Sequence, residues 1–69
     1  MITIILRQNR FKNFHCTLEG VLKNGKSSYV VKVYPVINGM LQEPIVNNIY
    51  LSKIVSIIAY KKHLKKYLL

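Results

Sequence analysis

The chain has 69 residues, 51% of them hydrophobic and 19% charged, which suits one small domain with a core of its own and argues against disorder. Eleven lysines and arginines stand against two acids, Glu19 and Glu43, for a net charge of +9. A surplus of that size repels itself and points to an anionic partner, with nucleic acid ahead of lipid or an acidic protein surface. The single cysteine, Cys16, excludes an internal disulfide and fits a reducing compartment. No apolar run nears the roughly 18 residues of a membrane span. The apolar block at the N-terminus is followed, not preceded, by positive charge, unlike a signal peptide. The expected location is the cytoplasm, with membrane an unfavoured partner.

Residues 2–6 are short, branched at Cβ and free of breakers, and read as the first strand. Arg7, Gln8, Asn9, Arg10, Phe11 and Lys12 form a polar first turn with arginines and amides beside an aromatic ring. Phe14, Cys16, Leu18, Gly20 and Leu22 then alternate with more polar residues, a period of two with one apolar face. That alternation sends His15 and Cys16 to opposite faces, which speaks against a Cys-His dyad or a shared metal, and leaves Cys16 as a buried small hydrophobe.

Asn24-Gly25 suits a type I′ hairpin turn, and so does Asn38-Gly39. Between them, Tyr29, Val31 and Val33 alternate with Val30, Lys32 and Tyr34, so this strand is apolar on both sides and central. Pro35 cannot donate to a ladder and marks the strand's end or an edge. Residues 40–46 make a poorer strand interrupted by Pro44, and Asn47-Asn48 a third turn. Residues 49–51 and 54–58 flank Ser52-Lys53. The run Ile-Val-Ser-Ile-Ile also fits helical spacing, but its branched side chains favour a strand as far as residue 59. A helix follows over 60–69, with Tyr60, Leu64, Tyr67 and Leu68 on one stripe and Lys61, Lys62, Lys65 and Lys66 opposite.

The expected fold is mainly β: a single domain with a five-stranded antiparallel meander or barrel over 1–59 and a short basic C-terminal α-helix over 60–69. Within it, "IYLSKIVSII" (residues 49–58) resembles the second Sm motif of Sm-like proteins of the LSm and Hfq type. "TIILRQNRFKNFHCTLEGVL" (residues 3–22) is similar in outline to the first Sm motif. Five short bent strands of this kind close into a small SH3-like or Sm-like barrel, which removes exposed edges; the resemblance adds a stacking role for Tyr50 and implies a ring-shaped homo-oligomer built by strand-edge pairing. It departs from the family where Leu51-Ser52 replaces a Lys-His pair, so no uridine pocket is carried over.

Catalysis has little material. The chain has no aspartate, its two glutamates lie on separate segments, and its glycines are isolated, so neither a positioned acid–base pair nor a phosphate loop is expected. No cofactor, metal or enzymatic activity is expected. The function read from these residues is non-catalytic binding of RNA or single-stranded DNA ahead of duplex, mainly through phosphates. The expected contacts are Arg7, Arg10, Lys12, Lys32, Lys53, Lys61, Lys62, Lys65 and Lys66, with Tyr34 as the stacking residue. The alternative is a small protein of phage or mobile-element type that binds and modulates a host protein through an apolar patch such as Ile5, Val21 and Val30.

Overall fold

The computed structural model describes residues 1–68, with side chains through residue 67. It is a curled antiparallel sheet followed by one helix: β1 (Ile2–Arg10), β2 (Phe14–Lys23), β3 (Lys26–Ile37), β4 (Met40–Leu41), β5 (Val46–Tyr50) and α1 (Lys53–Leu68). Both Asn-Gly pairs form the expected turns, with positive φ at Asn24, Gly25, Asn38 and Gly39.

Five strands make only four rows. β4 and β5 lie end to end along the same edge of β3, β4 against Val36 and Ile37 and β5 against Tyr29 through Val33. The four residues between them, 42–45, stay near the β3 edge: Gln42 N donates to Pro35 O at 2.9 Å and Ile45 N to Val33 O at 2.8 Å. Pro44 falls in this break, where no ladder donor is needed. The far edges, β1 on one side and β4–β5 on the other, do not pair with each other. The sheet is therefore a half-barrel and not a closed one.

Four boundaries differ from the sequence expectation. β1 runs on to Arg10, so Arg7 and Arg10 belong to a strand and the turn is confined to residues 11–13, closed by Phe11 N donating to Phe14 O at 2.7 Å. A bulge between Ile5 and Arg7 makes the longer pairing possible. β3 passes straight through Pro35. Val36 N donates to Asn13 O on the β2 side, so Pro35, one residue earlier, turns its donor-less nitrogen toward the break between β4 and β5. Asn47 and Asn48 lie inside β5 and not in a turn, because residues 42–45 have already reversed the chain.

The fourth difference concerns residues 53–59, which are helix and not strand. Ser52 caps the helix: its Oγ accepts from Val55 N at 3.3 Å, and its carbonyl from Ser56 N at 3.0 Å. Ser56, Tyr60, Leu64 and Tyr67 then form one inward stripe, with Ser56 and Tyr60 fully buried. Ile54, Val55 and Ile58, whose branched side chains suggested a strand, point outward. Their local cost is overruled by the face that packs. Within the expected stripe, Tyr60, Leu64 and Tyr67 lie where the sequence put them; the side chain of Leu68, and Leu69, lie outside the described residues.

The helix packs on the concave face against β2, β3 and β5. The core beneath it is Cys16, Leu18, Val31, Val33 and Tyr60, with Phe11, Phe14, Tyr29, Val46, Tyr50 and Ile57 packed around. Burial pushes the Cys16 thiol above its ordinary range. On the convex face Glu19 is buried at the centre of the sheet, accepting from Thr17 Oγ1 at 3.1 Å and Lys32 Nζ at 3.4 Å.

Candidate nucleic-acid interface

The Asn24-Gly25 turn sets the register of β2 and β3, pairing Lys23 with Lys26 and, further back in the same count, His15 with Tyr34 and Phe14 with Pro35. β1 in turn pairs Arg10 with His15. Arg10, His15 and Tyr34 therefore form a transverse row on the convex face. The His15 and Tyr34 rings stand 6.2 Å apart at 38°, and Arg10 Nη2 donates to Gly39 O at 3.2 Å. That bond ties the guanidinium to the second hairpin turn.

His15 Nδ1 is buried without a partner among the described residues. Burial, and then the nearby Arg10 charge, hold the imidazole below its ordinary pKa. The ring is thus neutral at neutral pH, a flat polar surface between a cation and a phenol. One cation and two ring systems in a line suit a phosphate and an unstacked base together.

The end of α1 comes to the same end of the molecule. The Tyr67 ring packs on Phe14 at 4.7 Å, His63 stacks on Tyr67 at 6.3 Å, and Lys66 Nζ lies 5.4 Å from the Tyr67 centroid. Phe14 adjoins His15 and closes the turn that carries Lys12. Lys65 and Lys66, both exposed, therefore lie toward the same end of the molecule as Lys12 and Arg10, with Arg10 on the convex face and the helix on the concave one.

The remaining expected contacts are placed elsewhere. Lys53 opens α1, thirteen residues before Lys66, about 20 Å away at 1.5 Å per residue. Lys32 keeps Tyr34's face, as expected, but is paired with Glu19 at 3.4 Å, so little of its charge is free for a ligand. Arg7 lies on the concave side of β1, near enough to Tyr60 to act on its phenol. Lys61 and Lys62 are exposed along the middle of the helix.

Tyr29 and Tyr50 pair across β3 and β5 and pack toward the concave core, away from the row that holds Tyr34. Sequence reasoning did not assign His15 a place in the interface. The signal was available: counting back from the Asn-Gly turn puts His15 opposite Tyr34. The apolar patch expected at Ile5, Val21 and Val30 does not project as a unit, since Val30 is 8% exposed and Val21 half-buried, leaving Ile5. Among the apolar residues that do project are Leu51, Ile54, Val55 and Ile58 on the helix side, and Ile2 and Ile4 on β1.

Comparison with protein-family models, with curated proteins and with solved structures finds no match. No helix of the described residues is long and apolar enough to cross a membrane.

Proposed function

We propose that this chain is a small cytoplasmic, non-catalytic nucleic-acid-binding protein that prefers RNA or single-stranded DNA to duplex. The observation that carries the reading is the row Arg10–His15–Tyr34, with Lys12 in the adjoining turn and the lysines of the α1 terminus at the same end of the molecule. Cations outnumber acids eleven to two, and one of the two acids is already paired with Lys32. Phosphates dock on Arg10, Lys12, Lys65 and Lys66, while a splayed base stacks on Tyr34 beside the neutral His15.

Fluorescence anisotropy with labelled single-stranded oligonucleotides, titrated over a series of salt concentrations, tests the reading. Four phosphate contacts give a log–log slope of about −2.8 for single strands and about −3.6 for duplex. Binding that does not weaken with salt, or no binding at low salt, overturns it.

The exposed apolar residues of the helix and of β1 favour a second reading, a module that binds a host protein. A pull-down after nuclease treatment separates the two: one stoichiometric protein surviving nuclease favours the second, and loss of all partners the first. Light scattering with and without RNA decides whether copies of the chain form a homo-oligomer.

A further inference from the structure

We infer that the free edge of β1, with the groove beside it, takes an extended protein segment that is acidic in its first half and apolar in its second. This inference is independent of nucleic-acid binding. β1 pairs only with β2, and all nine of its residues are exposed. Free edges are normally blunted by charge, proline or a covering element. Residues 2–6 have no charge and no proline, and the helix does not reach over them.

An uncovered part of the concave face lies beside this edge. α1 starts at Lys53 and packs on Cys16, Leu18, Val31 and Val33. Beyond it, Ile2, Ile4, Leu6, Leu22 and Tyr29 surround an open groove of about 410 Å³, with Lys53 at its rim. Gly20 forms part of the floor, and the bulged Leu6 lies over it: a Cβ there would stand 3.4 Å from Leu6 Cδ1. No acid lines the groove; Glu19 is on the opposite face, held by Thr17 and Lys32.

Charge selects the occupant. Along β1 the residues change from Ile2, Thr3, Ile4, Ile5 and Leu6 to Arg7, Gln8, Asn9 and Arg10. A strand added antiparallel to this edge lays its first residues beside Gln8 and Arg7, whose side chain is on the groove's face of the sheet, and its last beside Leu6 and Ile2; Arg10 is turned away to Gly39. Main-chain hydrogen bonds supply affinity, and alternate side chains enter the groove. Carboxylates fit the first half and leucine or valine the second. A second copy of this chain is the poorer occupant, because it brings another +9 to a surface that is already cationic.

The test is a labelled ten-residue peptide with glutamates in its first half and leucines at alternate positions in its second, followed by anisotropy and by amide shifts and exchange on the whole chain. The expected result is saturable binding with slowed exchange at β1 amides. The substitution Ile4→Asp, checked for unchanged fold by circular dichroism, weakens it about tenfold or more, equal to about 1.4 kcal/mol. Replacing the peptide glutamates by lysine, or N-methylating alternate peptide amides, abolishes binding with the protein unaltered. Three results overturn the inference: no binding, binding indifferent to N-methylation, or a peptide-free dimer in light scattering that already protects the β1 amides.

Discussion

The phenol of Tyr60 donates a 2.7 Å hydrogen bond to Asn9 Oδ1, linking helix α1 to the edge strand β1 across 51 residues of chain. The same hydroxyl stands 3.4 Å from the Cys16 carbonyl, and the ring is 1% exposed. Tyr60→Phe keeps the ring and leaves Asn9 without its donor, at a cost of about 1 kcal/mol. That lowers Tm by about 4–8 °C in a domain of this size. Tyr60→Ala removes the ring from the core and costs about 3–5 kcal/mol. Thermal melts followed by circular dichroism measure both; a Tyr60→Ala protein as stable as the parent would show that the helix is not held by this contact.

Alkaline pH acts on the same residue. Burial, with the nearby Cys16 adding and Arg7 partly opposing, pushes the Tyr60 phenol up to about 12. The unfolded phenol ionises near pH 10. Below pH 10 its contribution to stability is fully present; as pH rises from 10 toward 12 the unfolded chain loses its proton first and stability falls. Urea midpoints on either side of pH 10 should drop in the parent and drop less in Tyr60→Phe.

On the acid side two histidines set the window. His15 is lowered by burial and then by Arg10, His63 by burial and then by Lys66. Both folded pKa values lie below the ordinary 6.5, so the unfolded chain takes up protons first as pH falls below 6.5. Stability is present above that pH and declines through the lowered folded values. His15→Gln combined with His63→Gln flattens the decline. A denaturant midpoint that is level from neutral to mildly acid pH in the parent would contradict this assignment.

For nucleic-acid binding, Arg10→Ala, Lys12→Ala and Lys66→Ala each reduce the magnitude of the single-strand salt slope by about 0.7. Lys53→Ala, at the other end of the helix, changes it least. Tyr34→Ala costs about 1–3 kcal/mol with little change in slope, since stacking releases no counterion. Equal effects at Lys53 and Lys66 would mean that the charge acts diffusely and not through the Arg10 end.

The parts of the fold that were legible are the parts specified by neighbours in sequence. Asn24-Gly25 and Asn38-Gly39 accept left-handed backbone, and that alone placed two hairpins. The alternation of Phe14, Cys16 and Leu18 named the core face of β2, because successive side chains in a strand must point to opposite sides. The start of α1 was less accessible. Ile54, Val55, Ile58 and their neighbours carry a strand preference of fractions of a kcal/mol each, and a Ser52 cap with a stripe of Ser56, Tyr60, Leu64 and Tyr67 against the sheet outweighs it.

The candidate interface divides in the same way. Tyr34 and Lys32 share a face by alternation, and the helical lysines share one by helical spacing; both follow from backbone geometry. That Lys32 is tied to Glu19, that Arg10 reaches Gly39, and that the α1 terminus docks through Tyr67 on Phe14 depend on partners 13, 29 and some 50 residues away. The amino-acid sequence by itself determined a cationic, turn-punctuated β domain with a basic C-terminal helix, because φ preferences, alternation and charge are local or additive. Only the tertiary structure decided that the sheet stays open, where on its concave face the helix packs and which partners hold Arg10 and Lys32, because those outcomes rest on contacts between segments that no local preference brings together.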